Sequence, residues 1–145
     1  MWLVTGIIAG LTAGIFMGIA SQIGYWLGLV KSHLVVIDGA YLLRILKRDG
    51  GTIVIYALGI VTHLVTSIVF GIVYVIIARV AGFDPLLPSA VTVYVLILWL
   101  AMLAVALPVA GQGFIGKKIS QSVWLEQLVM HIFFGISFWW ALGIL

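Results

Sequence analysis

The chain has 145 residues, of which 65% are hydrophobic and only 8% are charged, and its formal net charge is +3. A water-soluble domain of this length has no core large enough to hide so many apolar side chains, so the composition excludes one and predicts an integral membrane protein. The absence of cysteine excludes disulfides, thiolate metal sites, iron–sulfur clusters and thiol nucleophiles.

Four stretches are long and apolar enough to cross a bilayer as helices, which takes about 20 residues each. They cover residues 2–30, 52–78, 89–110 and 122–145. None of them alternates apolar and polar residues as the strands of a membrane barrel do. We therefore expect one all-α domain over residues 1–145, folded as a four-transmembrane-helix bundle.

The loop between the first and second stretches predicts a further short helix at about residues 39–49, lying in the membrane interface. Asp38 is a suitable N-cap for it, and the Gly50–Gly51 pair is a suitable end. On this helix one face carries basic side chains: Arg44, Lys47 and Arg48.

The basic residues predict the orientation. Six of the seven Lys and Arg residues lie in loops one and three: Lys31, Arg44, Lys47, Arg48, Lys117 and Lys118. Loop two has only Arg79 at its edge. By the positive-inside rule we expect loops one and three in the cytoplasm and both termini outside, in a bacterial inner membrane. These basic side chains are expected to meet anionic lipid headgroups and not nucleic acid.

The first stretch carries glycines at every fourth position: Gly6, Gly10, Gly14 and Gly18. Such a stripe lets another backbone approach closely. The neighbour can be another helix of this chain or another subunit, which includes a second copy. A third interpretation is a groove for a lipid or a flat cofactor.

The chain also has the pattern of an internal 2+2 repeat. Met17 and Gly28 are separated by the same interval as Met102 and Gly113. The second and fourth stretches each carry one histidine, His63 and His131, which fall at similar depth if the two helices run in the same direction.

Three roles are open for these histidines. They can be neutral side chains that bond to nearby polar groups. They can be axial ligands of one b-type haem, since each lies on a helical stripe with small residues: Gly59 and Ser67 beside His63, and Gly135 beside His131. They can also bind protons or ions together with Glu126. Haem b is the one candidate cofactor, and bound lipid is expected.

Glu126 lies about one turn inside the fourth stretch. We expect it to reach the headgroups or to pair with Lys117 or Lys118, and the alternative is a proton entry point with His131. The chain has no Ser/His/Asp set and no paired carboxylates. We therefore do not expect it to be catalytic by itself.

Several of these features occur together in one known group of proteins. They are the glycine-rich first helix with Met17, the segment from His63 to Tyr74, Pro108 with Gly111 and Gly113, and the segment from His131 to Gly135. In this the chain resembles a group of small uncharacterised bacterial four-helix inner-membrane proteins. The resemblance implies fold and location and carries no activity.

The first functional hypothesis is a small non-catalytic subunit of a larger inner-membrane complex, of a respiratory or otherwise energy-converting kind. It depends on the lack of a soluble domain, the lack of a catalytic set and the glycine stripe. The alternatives are a bis-histidine haem protein that transfers electrons and a small transporter or proton pathway.

Overall fold

The computed structural model describes residues 1–145 and contains only helices, turns and loops. Its five helices are α1 (Trp2–Trp26), α2 (Leu34–Ile45), α3 (Thr52–Ala81), α4 (Pro88–Val109) and α5 (Val123–Ile144). All but α2 are long and apolar enough to cross a membrane, and they occupy the four stretches predicted from the sequence.

The four long helices form an open ring in the order α3, α1, α5, α4. Helix α1 packs against both α3 and α5, and α4 packs against α5, whereas α3 and α4 have almost no direct packing. The gap between α3 and α4 is bridged by Tyr94, whose hydroxyl donates to the carbonyl of Phe70 at 2.8 Å. Towards the other end of the bundle, α2 packs along α3 and also touches the last turn of α4.

The connections define two ends of the bundle. The end with loops one and three, which carry the six basic residues, is called the basic end below. The end with the short loop between Ala81 and Pro88 is called the hairpin end. There the ring of Tyr74 lies 5.1 Å from that of Tyr94 and 5.2 Å from that of Phe138. The placement of loops one and three at one end is compatible with the predicted orientation, which stays a prediction.

Helix α1 approaches α3 closely because its glycine stripe faces α3. A Cβ atom on Gly10 would collide with the carbonyl oxygen of Ser67, and one on Gly6 would lie 2.8 Å from the carbonyl oxygen of Gly71. Backbone contact replaces the hydrophobic driving force that lipid removes. Of the alternatives for the stripe, the structure uses packing within the chain.

Helix α2 differs from the helix predicted in loop one. It begins at Leu34 and its N-cap is His33, whose Nδ1 accepts from the N–H of Val36 at 3.4 Å, so the assignment of Asp38 as the cap was wrong. It ends at Ile45, and Lys47 follows with a φ of 52°. Lys47 and Arg48 therefore do not share a helical face with Arg44.

Two glycines explain how α2 packs. Gly39 lies against the carbonyl of Ile55, and Gly59 lies against the carbonyl of Val35. The residue numbers of the two pairs rise along α2 as they fall along α3, so α2 is antiparallel to the first half of α3. Helix α2 is therefore aligned with the long helices, whereas an interfacial helix lies across them.

A π-helical turn interrupts α4 at Met102–Ala106. Pro108 has no N–H to donate to the carbonyl of Ala104, and its ring crowds that carbonyl. The N–H of Leu107 donates instead to the carbonyl of Met102, five residues back, which widens the helix. The turn presents Met102, Val105 and Ala106 to the centre of the bundle.

Candidate functional site

The most unusual group in the bundle is a buried histidine held between two acceptors. Nδ1 of His63 lies 3.1 Å from a carboxyl oxygen of Asp38 on α2, and Nε2 lies 2.9 Å from the carbonyl oxygen of Gly14 on α1. His63 is only 7% exposed. The absence of a side chain at Gly14 lets the α1 backbone come within reach of the ring, so the glycine stripe also builds this site.

The hydrogen atoms of this group follow from its chemistry. A backbone carbonyl only accepts, so Nε2 of His63 carries a proton and donates it to Gly14. The contact between Nδ1 and Asp38 then contains one further proton, bound either to the imidazole or to the carboxyl group. Asp38 and His63 thus share one proton and are together neutral whichever of them holds it.

The environment of Asp38 favours a movable proton. Burial raises the pKa of Asp38 above its usual value, while the hydrogen bond and the charge of His63 oppose that rise. The contact is an ion pair when the shared proton resides on His63. A raised pKa brings the proton affinity of the carboxyl group closer to that of the imidazole, which favours exchange of the shared proton between them.

His131 lies on the other side of the same space. Its Nδ1 is 2.7 Å from the carbonyl oxygen of Gln127 one turn earlier, so Nδ1 carries a proton and donates. No protein group bonds to its Nε2, although the side chain is only 7% exposed. With no carboxylate partner the ring is neutral, and the lone pair of Nε2 is an unused acceptor.

These groups line a cavity of about 210 Å³ at the centre of the bundle, called the central cavity below. All five helices contribute to it, through residues such as Met17, Asp38, His63, Leu98 and His131. Its polar groups are on α2, α3 and α5, and its other walls are mostly apolar. Helices α3 and α4 have almost no direct packing beside it, and its lining residue Val105 on α4 is 53% exposed.

The four residues that suggested an internal repeat meet here. Met17, Met102, His63 and His131 all line the central cavity. Gly28 and Gly113, the other matched pair, both adopt a positive φ, 70° and 76° respectively. Helices α3 and α5 run in the same direction, since Tyr74 contacts Phe138 towards one end and both histidines reach the cavity. The 2+2 repeat itself stays a prediction.

Glu126 is not bound by the lysines that were expected to pair with it. One carboxyl oxygen accepts from the N–H of Lys31 at 2.9 Å and from the N–H and hydroxyl of Ser32 at 2.9 and 2.8 Å. The other accepts from the hydroxyl of Ser122 at 2.7 Å. The pairing with Lys117 or Lys118 is therefore wrong, because four closer donors already surround the carboxylate.

A series of polar groups lies between Glu126 and the cavity. The hydroxyl of Ser32 donates to Glu126 and accepts from the side-chain amide nitrogen of Gln127 at 3.1 Å. The backbone carbonyl of Gln127, which is a separate group from that amide, accepts from His131. The side-chain oxygen of Gln127 is buried and has no hydrogen-bond partner.

The haem hypothesis gains no support from this geometry. Both nitrogens of His63 are engaged, and ligation of an iron would require the contact with Asp38 or with Gly14 to break. The cavity is smaller than the roughly 300–1,000 Å³ that is usual for larger organic ligands. Of the proposed flanking residues, Gly59 packs on α2 and Gly135 packs on Val95 of α4, so only Ser67 lines the cavity.

The remaining predicted site residues lie at the basic end. The guanidinium group of Arg44 packs directly on Gly111, whose φ of 84° favours glycine. Lys47, Arg48, Lys117 and Lys118 form no ion pair and are largely exposed. They stay a predicted lipid-facing basic surface.

Sequence reasoning missed the role of Asp38 as the partner of His63. The signal that was present is Gly39 beside it, together with Gly59, because a glycine pair on α2 and α3 indicates close packing of these two helices. That packing places Asp38 next to His63.

Comparisons with protein-family models, with curated proteins and with solved structures found no match to this chain.

Proposed function

We propose that this chain binds and passes protons within a bacterial inner membrane, as a proton pathway or a small proton-coupled transporter. The observation that carries the proposal is the 3.1 Å contact between the carboxyl group of Asp38 and Nδ1 of His63 at the wall of the central cavity. Ionisable groups at the middle of membrane helices are costly to bury, and they commonly mark proton relays.

His131 supplies a second proton acceptor on the opposite wall of the cavity. Its free Nε2 can take a proton, and the hydrogen bond that Nδ1–H donates to the carbonyl of Gln127 then stabilises the charged ring. A cavity of about 210 Å³ with several polar groups has room for several water molecules, since a water occupies about 30 Å³ in the liquid. Water in this space would connect His131 with the Asp38–His63 pair.

The route towards the basic end is supported by Glu126, Ser32 and Gln127, which form the polar series described above. Towards the hairpin end the polar groups are sparser. The hydroxyl groups of Tyr94 and Tyr74 both donate to backbone carbonyls, of Phe70 and Pro85. We propose that passage on this side is the restricted step.

The test is proton flux into liposomes that contain the purified protein, driven by a potassium diffusion potential and read with an internal pH dye. Asp38→Asn and His63→Gln keep the size of each side chain and remove the shared proton site. We expect either substitution to lower the flux roughly 100-fold or more. Asp49→Asn is the matched control, because Asp49 is exposed and has no ion pair.

Two results would refute the proposal. One is a flux no higher than that of protein-free liposomes. The other is a flux that is unchanged in folded Asp38→Asn and His63→Gln variants. Size-exclusion profiles and helical circular dichroism that match the parent protein show that a variant is folded.

The subunit hypothesis stays a prediction, and a proton pathway is compatible with it. One of its three supports is weaker, because the glycine stripe packs on α3 and is not free for a partner. Purification from native membranes in mild detergent tests it. A protein that always runs as a free monomer would count against a subunit role without touching the proton proposal.

A further inference from the structure

Building on the proposed function, we infer that the central cavity binds a small, neutral, mostly apolar molecule that carries one hydroxyl or N–H donor and enters from the bilayer between α3 and α4.

The size of the cavity sets the size of the ligand. An apolar protein cavity of about 150 Å³ is enough for benzene. The central cavity, at about 210 Å³, therefore fits one substituted six-membered ring or an aliphatic group of similar volume. Its walls suit such a group, since side chains such as Phe70, Leu98, Met102 and Phe134 supply most of them.

The polar groups of the cavity set the chemistry of the ligand. Nε2 of His131 is an acceptor without a donor, on a residue that is only 7% exposed. An acceptor that has no donor in an enclosed site is costly, so a ligand that donates to Nε2 of His131 is favoured.

The charge balance of the cavity favours a neutral ligand. Asp38 and His63 together carry no net charge because they share one proton, and no Lys or Arg lines the cavity. A cation would therefore find no uncompensated carboxylate, and an anion would find no free cationic group. Burial of either ion without a partner is strongly unfavourable.

The open ring of helices provides the entrance. Helices α3 and α4 have almost no direct packing, and the rim of the cavity between them includes exposed Val105. The Tyr94–Phe70 hydrogen bond closes this gap towards the hairpin end, and Tyr41 of α2 lines it towards the basic end. A molecule dissolved in the lipid reaches His131 through this opening without crossing the loops.

The experiment measures equilibrium binding by ¹⁹F NMR with the protein in nanodiscs, without any pH gradient. The probes are 4-fluorophenol, its near-isosteric methyl analogue 4-fluorotoluene, and 4-fluorobenzylamine as a cation. We expect 4-fluorophenol to bind saturably and about tenfold more tightly than 4-fluorotoluene, because the methyl analogue leaves Nε2 without a donor. Protein-free nanodiscs correct for partition into lipid.

Two substitutions locate the site. Ala106→Leu fills the cavity and should abolish saturable binding. His131→Phe should reduce the preference for the phenol over the toluene to less than about threefold. Asp49→Asn is the control, because Asp49 is exposed and lies outside the cavity.

The inference is overturned if the phenol shows no saturable binding, if it binds no better than the toluene, if the cation binds best, or if Ala106→Leu leaves binding intact. Phenol binding with no proton flux would refute the proton proposal alone. Proton flux with no phenol binding would refute the ligand site alone.

Discussion

The carboxylate of Glu126 accepts hydrogen bonds from both the backbone N–H and the hydroxyl of Ser32, 94 residues earlier in the chain. The N–H of Lys31 and the hydroxyl of Ser122 complete its set of donors. One side chain thus ties the first turn of α5 to the connection between α1 and α2. Without this carboxylate, the N–H groups of Lys31 and Ser32 have no acceptor.

Glu126→Ala is therefore expected to lower the free energy of unfolding by about 2–4 kcal/mol, since each unpaired buried donor costs about 1–3 kcal/mol. Glu126→Gln keeps one acceptor oxygen and should cost less. Lys117→Gln and Lys118→Gln are the controls, because neither lysine contacts Glu126, and each should change stability by less than about 0.5 kcal/mol. Unfolding in detergent, followed by circular dichroism, measures all four. A free energy of unfolding that is unchanged in Glu126→Ala would contradict the role of Glu126 as the acceptor for this turn.

The contact between α1 and α3 makes a second prediction. A methyl group at Gly10 would collide with the backbone carbonyl of Ser67, which cannot move aside as a flexible side chain can. Gly10→Ala should cost about 1–3 kcal/mol by overpacking. Gly143→Ala, on the last turns of α5, is the matched control because its nearest neighbour is Leu86 at 3.9 Å. It should be neutral or stabilising by up to about 1 kcal/mol.

His33 makes the start of α2 sensitive to pH. Its ring packs against Tyr25 and Tyr56, with centroids 4.4 and 5.1 Å away, and burial lowers its pKa below the ordinary value of 6.5. The folded state therefore binds fewer protons than the unfolded state just below that value. The contribution of His33 to stability is complete above about pH 6.5 and is lost as the pH falls towards the lowered pKa.

His33→Asn tests this dependence, because asparagine is a good N-cap that does not titrate. The unfolding midpoint of the parent protein should fall more steeply between about pH 8 and pH 5 than that of His33→Asn. His33→Ala loses the cap at every pH, at a cost of roughly 0.5–2 kcal/mol. Identical pH profiles for the parent and His33→Asn would show that this histidine is not the sensor.

Tyr94 is expected to control the width of the gap between α3 and α4. Tyr94→Phe removes the hydrogen bond to Phe70 and should cost about 1 kcal/mol. Spin labels on Val65→Cys and Ile97→Cys report the separation of the two helices, since both positions are exposed, at 52% and 56%. The chain has no other cysteine to interfere.

The distance distribution between these labels should broaden and shift outwards in Tyr94→Phe. Tyr25→Phe is the control, because Tyr25 lies on α1, away from the gap, and is 42% exposed. An unchanged distribution in Tyr94→Phe would mean that packing of Tyr74 and its neighbours alone sets the gap.

The sequence alone predicted the four long helices, because a run of about 20 apolar residues has few structural solutions in lipid. It also predicted that His63 and His131 lie on parallel helices, since short loops alternate the direction of the spans. These features depend on local composition and on chain direction, which a single sequence contains.

The partners of the polar residues were harder to predict because they depend on long-range packing. Asp38 was interpreted as a cap since aspartate is common there, but its carboxyl group bonds to His63 across a helix contact made possible by Gly39 and Gly59. Glu126 was matched with nearby lysines, whereas backbone N–H groups of a distant turn hold it. In both cases the partner of the carboxyl group comes from a distant segment of the chain, and the spacing of residues along the sequence does not indicate that segment.

The bond between Glu126 and the Lys31–Ser32 turn also has a consequence for biogenesis. Translation delivers the N-terminal segments first, so α2 leaves the ribosome long before α5 exists. Until α5 is made, the turn that sets the start of α2 has no acceptor for its amides, and α2 is held mainly by its packing on α3. Chains that stop before α5 are therefore expected to be substrates for membrane proteases.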